Sequence, residues 1–444
     1  MSSSPAVPAE ARPPGRHGHT DPLSSSSPLV VRTTLIDDPG PLLALLPALA
    51  DPDDIVSWVR RGEGLVGWGR AARFALTGPD RFAAAERWWQ ETSSRAVVRD
   101  EVQLPGSGPI AFGSFPFADE SEDAAVLVVP EVVVVSREGH SWVTTTGVGR
   151  HLPAVPDLTR GTRQRPVRPT GVTFADGSLR PAEWERAVAR AVELITRGGL
   201  DKVVLARDLE ARADGPIDPR WLLAQLAERY DRTWTFAVEG LVGATPELLV
   251  RRDQGLITSR VLAGTITRTG NDAKDLALAA SLARSSKDLE EHEYAVRSVA
   301  DALAPHCSSM NVPESPFVLH LSNVMHLATD VAGVSADDAS SLALAASLHP
   351  SAAVGGTPTD VAVPLISALE QMDRGRYAGP VGWLDAAGDG EWGIALRCGR
   401  YDDTDPSTMR LFAGCGIVAG SDPDAEVAES DAKLVPMRDA LTSD

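Results

Sequence analysis

Apolar and polar positions divide the chain into two differently patterned halves. From about Pro28 the runs LVVRTTLI, GLVGWGRAARFAL, PIAFGSFPFA and AAVLVVPEVVVVSREGHSWVTTTGV alternate or continue in β-branched residues, which predicts strands. Arg137, Glu138 and Gly139 mark a hairpin turn, and one helix is expected from Arg81 to Ser94. The second half opens on a helix. Trp184, Ala187, Val188, Ala191, Val192 and Ile195 follow helical spacing, Pro181 suits the first turn and Gly198-Gly199 stops it. A strand then begins at Lys202. A helix follows Asp218-Pro219, and WTFAVEGLVGATPELLVRRDQG reads as strand, loop, strand. A helical stretch from Asp272 to Ala304 is interrupted near Ser285, and another helix covers Asp360 to Met372. YAGPVGWLD, GEWGIALRCGRYD and TMRLFAGCGIV are each expected as strands, with a hairpin at Gly388–Gly390 and a last helix after them. Strands follow one another directly more often than they alternate with helices. That favours a mixed or antiparallel sheet with helices outside it over a doubly wound parallel sheet.

Composition sharpens this picture. The 444 residues hold 43% hydrophobic residues, ample for a large core. Residues 1–27 are rich in Ser, Pro and Ala, have no apolar signal-peptide core and are expected to be a disordered tail. Residues 28–165 are expected to form a strand-rich half and 166–444 the half that carries the candidate chemistry, the two folding as one integrated domain. The formal charge of −19 argues against nucleic acid and against anionic membranes as partners. No apolar window is long enough to span a bilayer. Cys307, Cys398 and Cys415 form no CxxC pair, as expected of a reducing compartment; the cytoplasm is the expected location.

Candidate chemistry concentrates at the end of the chain. In GCGIVAGSDPDAEVAESDAK, glycines Gly414, Gly416 and Gly420 read as a bare-backbone turn before a helix. Spacings of three and four put Glu426, Glu429 and Lys433 on one helical face. A second acidic pair, Asp288 and Glu291, lies in SKDLEEHEYAV. Alone it reads as a solvated charged face; opposite Glu426 and Glu429 it would make an oxygen-rich site for Mg²⁺. No HExxH or Cys/His spacing suggests zinc. Lys202 either snorkels from a sheet end or is desolvated enough to act as a general base. Glu247, between Pro246 and an apolar strand, is either a surface glutamate or a buried general acid. Arg397, inside an apolar strand, needs an anion, from the protein or from a substrate. His326 on its apolar strand is a satisfied core residue unless it faces a cleft.

KVVLAR (from Lys202), TPELLVR (from Thr245), LAGT (Leu262–Thr265), KDLEEH (from Lys287), VMHLAT (from Val324), HPSAAVGGTP (His349–Pro358), ALRCGR (from Ala395) and GCGIVAGS with its E-x-x-E-x-x-x-K follow one another in an order that resembles the chorismate-utilising enzymes. The resemblance covers Pro181 to the C-terminus; the first half matches only through its strands and AFGSFPFA. It implies an α+β sandwich of two large, mostly antiparallel sheets flanked by helices, like aminodeoxychorismate synthase, with a cleft between the layers. It implies Mg²⁺ as cofactor and chorismate as substrate. Glu291 and Glu429 would be metal ligands, with Asp288 and Glu426 acting through waters. Arg397, Lys433 and the Gly414 region would hold substrate carboxylates, beside Ala263, Gly264, Thr265, His326, Ala353 and Val354. Anthranilate synthases have glutamine where Lys202 stands, and aminodeoxychorismate synthases have lysine where Ala263 stands. HPSAAVGGTP is similar to the loop of isochorismate synthases. The resemblance therefore implies an isomerase making isochorismate with Lys202 as base and Glu247 as acid. The alternatives are a salicylate synthase, in which His326 would matter for pyruvate loss, or an inactive chorismate-binding regulator. A monomer without a glutaminase partner is expected, and the product would serve menaquinone or siderophore synthesis.

Overall fold

The computed structural model describes residues 27–48, 51–149, 154–158, 164–321 and 324–443, with the side chains of Lys287 and Glu291 outside the description. The expected tail therefore falls almost wholly outside the described residues. The rest is a two-sheet sandwich. One sheet has 13 strands and the other 10, and each takes strands from both halves of the sequence. In the larger sheet Ile55–Arg60 of the first half pairs with Trp234–Val238 of the second. In the smaller, Ile110–Ser114 pairs with Pro380–Asp385. Pairing is antiparallel except between Leu29–Ile36 and the edge strand Val97–Asp100. The hairpin at Glu138-Gly139 forms with both residues at positive φ, 53° and 78°, matching the twist of its strands.

Large side chains fill the space between the sheets, among them Trp58, Phe112, Phe115, Trp142 and Trp392. A second core lies on the outer face of the larger sheet. There Leu222, Leu223 and Leu226 of helix Pro219–Arg229 and Leu434, Met437 and Leu441 of helix Pro423–Thr442 cover Ala211, Met409 and Leu411. Asp218 caps the first of these helices by accepting a 3.0 Å bond from the Arg220 amide. The interruption at Ser285 is a true boundary: its hydroxyl caps helix Ser286–Leu303 at the Asp288 amide, 3.3 Å away, just after helix Asp272–Leu282 ends.

Three strand expectations change. WTFAVEGLVGATPELLVRRDQG holds three strands, Trp234–Val238, Leu241–Thr245 and Leu248–Asp253, because Glu239 and Gly240 at positive φ make a tight turn. GEWGIALRCGRYD is not continuous: Gly390–Ile394 belongs to the smaller sheet and Cys398–Tyr401 to the larger. Arg397 at the break has φ 49°, a left-handed conformation that ends a strand. The glycines of GCGIV lie inside strand Thr408–Val418, so the turn begins at Ala419 rather than at Gly414.

Candidate active site

A cavity of about 240 Å³ opens between the sheets. Its walls bring together Lys202, Glu247, Ala263, Gly264, Thr265, Asp288, His326, Ala353, Val354, Arg397, Gly414, Glu426, Glu429 and Lys433. Every expected site residue whose side chain is described therefore faces one space. Glu291 lies on helix Ser286–Leu303, three residues after Asp288, and its side chain is outside the described residues.

Glu247 and Arg397 arrive by the same device. The chain leaves the larger sheet at Thr245 and enters the smaller at Leu248; it makes the reverse passage between Ile394 and Cys398. The two passages run side by side. The Ala244 amide donates to the Arg397 carbonyl at 3.1 Å, and the Ile394 amide donates to the Glu247 carbonyl at 3.2 Å. Pro246 has no N–H to extend a ladder, which suits the passage. Both side chains then project where neither sheet fills the space. Glu247 is 8% exposed, and burial pushes its carboxyl up to about 7 against the pull of Lys202, Lys433 and Arg397. Burial lowers the Arg397 guanidinium below its ordinary value, and its buried Nη1 has no hydrogen-bond partner among the described residues. An unpartnered guanidinium N–H facing a cavity is suited to an incoming anion.

The part of the lining supplied by helix Pro423–Thr442 is acidic. Asp422 caps helix Pro423–Thr442 through the amides of Asp424 and Ala425, at 3.0 and 3.3 Å, and so aims its first turns at the cavity. Burial and the neighbouring Glu429 charge raise the Glu426 carboxyl. Burial also pushes Glu429 upward, but Lys433 and Arg397 outweigh it and hold that carboxyl below its ordinary range. Lys433 donates to Glu429 Oε1 at 2.6 Å and to the Gly414 carbonyl at 2.9 Å. Lys433, expected with Gly414 to hold substrate carboxylates, thus bonds both the Gly414 carbonyl and Glu429. Two of the ammonium's three donors are already engaged.

Donor atoms of Cys415, Glu426 and Glu429 lie within 4.8 Å of one another. Burial pushes the Cys415 thiol up to about 12, so it stays protonated. The remaining set, Glu426 and Glu429 with Asp288 facing the same cavity, is all oxygen. Crowded carboxylates of this kind fit a hard divalent cation.

Lys202 begins strand Lys202–Arg212, half-buried at the cavity edge. Its register partner is Val418, but its side chain crosses Gly416 two residues away on the same strand, where a Cβ would lie 2.9 Å from Lys202 Cε; the glycine serves here as space. Gly264 has φ 71° and forms a bulge in strand Leu256–Thr267 opposite Val324–Ser335. The bulge brings Thr265 beside His326, whose Nδ1 is 3.0 Å from Thr265 Oγ1. Burial pushes His326 down to about 3, so the ring is neutral, and its Nε2 has no partner among the described residues. His326 therefore faces the cleft.

Sequence reasoning missed Arg374 and Tyr377, which also line the cavity. Tyr377 was placed at the start of a strand, but that strand begins at Pro380. Its ring stacks on Phe412 with centroids 5.0 Å apart. Arg374 lies in the loop after helix Thr359–Glu370, so its pairing with Glu370 is not a helical i,i+4 contact and left no periodic signal.

Comparison with known proteins agrees with this geometry. The chorismate binding enzyme family matches residues 25–442. The chain is a member of that family. It is 32% identical over 410 residues to isochorismate synthase MenF of Bacillus subtilis, covering 85% of each chain. It is 34% identical over 372 residues to isochorismate synthase DhbC of the same organism, covering 78% of this chain and 84% of that one. The structure of MenF of Escherichia coli, a menaquinone-specific isochorismate synthase, shares the fold. Its TM-score is 0.76 at 23% identity, over 94% of this chain and 96% of that one. As a chorismate binding enzyme the chain has no helix among the described residues that is long and apolar enough to cross a membrane.

Proposed function

We propose that this family member converts chorismate to isochorismate. The observation that carries the reading is Glu247, a buried carboxyl with a pKa of about 7, in one cavity with Lys202. A group that is half protonated near neutrality is matched to proton donation. Lys202 takes a proton from water as the oxygen bonds to ring carbon 2. The double bonds shift, and the 4-hydroxyl leaves as water with the proton from Glu247. Arg397 Nη1 binds a substrate carboxylate. Glu429 and Glu291 would hold Mg²⁺, with Asp288 and Glu426 reaching it through water. When bound, that ion supplies positive charge for the ring carboxylate, in a chain whose net charge is −19. Ala263 leaves no amine at the position where a nitrogen nucleophile would stand.

The test is chorismate with enzyme and Mg²⁺, separated by chromatography. Isochorismate without pyruvate supports the reading. Stoichiometric pyruvate and salicylate favour the second reading, for which the unpartnered Nε2 of His326 in the cavity wall is the relevant feature. Unchanged chorismate after long incubation indicates a binding protein without this activity. Lys202→Ala is expected to abolish isochorismate formation and leave chorismate affinity largely intact; full activity in that variant would sink the assignment of the base.

A further inference from the structure

One edge of the Lys202 strand has a gap that no strand among the described residues fills. On that edge Lys202 and Val203 pair with the short strand Gly356–Thr357, and Leu209–Arg212 pair with Thr173–Asp176. Between them the backbone groups of Val204 and Ala206 face helix Thr359–Glu370 and the loop after it. They are not orphaned. The Val204 amide donates to the Gly355 carbonyl at 2.9 Å, and the Ala206 carbonyl accepts from the Trp184 indole at 2.9 Å. The remaining two are met by one ion pair. Arg374 Nη2 donates to the Val204 carbonyl at 2.8 Å, and the Ala206 amide donates to Glu370 Oε1 at 2.6 Å.

The pair is closed on itself. Arg374 Nε donates to Glu370 Oε2 at 2.9 Å and Nη2 to Oε1 at 2.6 Å. Arg374 Nη1 reaches the carbonyl of Val354, in the cavity wall, at 2.9 Å. The guanidinium also lies over the Phe117 ring, 4.2 Å from its centroid, and the Phe117 carbonyl accepts from His349 Nε2 at 2.9 Å. Glu370 is 1% and Arg374 4% exposed. One planar guanidinium thus fastens three things: the strand carrying Lys202, the loop carrying Ala353 and Val354, and a loop of the first half.

We propose that Glu370 and Arg374 are positioning residues, a side-chain pair that stands in for a missing strand and sets Lys202 against the Ala353–Val354 wall. The geometry needs the arginine fork, because a lysine ammonium cannot reach the Val204 carbonyl, the Val354 carbonyl and both Glu370 oxygens in one plane. A small displacement of a catalytic base costs turnover more than binding. The turnover part of this proposal rests on the chorismate reading above; the backbone part does not.

The experiment compares wild type, Arg374→Lys and Glu370→Gln by steady-state kinetics and by amide hydrogen exchange without substrate. In Arg374→Lys, kcat is expected to fall at least about tenfold while KM for chorismate and half-saturation by Mg²⁺ move less than about threefold. The amides of Val204 and Ala206 exchange at least about tenfold faster, and those of Leu29–Ile36 are unchanged. Glu370→Gln gives the same pattern, smaller, since the amide oxygen still accepts from Ala206. A kcat within twofold of wild type overturns the proposal, as does a KM that rises as far as kcat falls. If wild type makes no isochorismate, the reading of function fails, and unchanged exchange at Val204 and Ala206 separately overturns the backbone role. Should both variants fail to fold, wild type still decides. Its Ala206 amide is expected to exchange as slowly as that of Leu205, which sits in the ladder with Cys415; exchange tenfold faster overturns the proposal.

Discussion

Glu426 and Glu429 reach the cavity on consecutive turns of one helix. Glu247 and Arg397 reach it from two passages where the chain leaves one sheet for the other. The acidic wall is built by local periodicity, and the helix alone sets the spacing of its side chains. The passage wall is built by non-local pairing: the 3.1 Å bond from Ala244 to Arg397 and the 3.2 Å bond from Ile394 to Glu247 join segments about 150 residues apart in the sequence. The walls also differ in electrostatics. Acidic residues on the helix crowd one another and keep an internal cation, Lys433, bonded to Glu429. At the passages one carboxyl and one guanidinium are desolvated, and Arg397 Nη1 has no hydrogen-bond partner among the described residues. Crowded carboxylates are suited to a cation, whereas a desolvated carboxyl and a desolvated guanidinium are suited to proton donation and to an anion.

The sharpest way to break this contrast is Glu247→Gln. Turnover is expected to fall by roughly 10²–10⁴-fold, the usual worth of a general acid. Stability should move the other way. The folded-state pKa of about 7 lies above the ordinary 4.5, so the folded chain holds the proton more tightly than the unfolded chain. That contribution is present below about pH 4.5 and is lost as pH rises through about 7. The glutamine variant should therefore be more stable than wild type above pH 7, by about 3 kcal/mol, and equal to it near pH 4, as read by denaturant titration. In wild type, the same carboxyl predicts loss of activity as pH rises past about 7. A stability gain independent of pH would show that the carboxyl is not desolvated as described.

Arg397→Met tests the other passage residue. Loss of a charged hydrogen bond to substrate is worth about 1.5–3 kcal/mol, so KM for chorismate should rise by about 10–100-fold. Little stability should be lost, since Nη1 has no partner to abandon among the described residues. A collapse in Tm with unchanged KM would make Arg397 structural. On the acidic wall, Glu429→Gln should raise the Mg²⁺ concentration for half-activity more than Glu426→Gln, and the latter by about tenfold, as for a group acting through water. Equal effects would erase the distinction between the two glutamates. The smallest effect is expected from Gly416→Ala, whose methyl displaces Lys202; kcat should drop about threefold to fivefold, with the Mg²⁺ response unaltered.

How legible each part was follows from the range of the forces involved. Helix Pro181–Arg197, its Pro181 start and its Gly198 stop were readable because each signal lies within one turn of the helix. The break at Ser285 was readable because Ser285 is itself the cap. The alignment of Glu426, Glu429 and Lys433 was readable for the same reason. GEWGIALRCGRYD reads as one strand because Ile394, Ala395 and Leu396 carry the apolar run across the break; only Arg397 interrupts it, and an arginine alone does not mark a passage between sheets. Gly414 and Gly416 read as a turn in the sequence because glycine reports only a missing side chain. Whether that serves a turn or a close approach depends on the neighbour, here Lys202 and Tyr377.

By itself, the sequence determined the element types, the acidic helical face and, through eight ordered motifs, the chorismate binding family, because these depend on residue type at short spacing. Only the tertiary structure decided that Lys433 bonds Glu429 rather than standing free, that Glu247 is desolvated, and that Glu370 and Arg374 complete the Lys202 strand. Those outcomes depend on which groups from distant segments displace water from one another, and chain spacing carries no record of that.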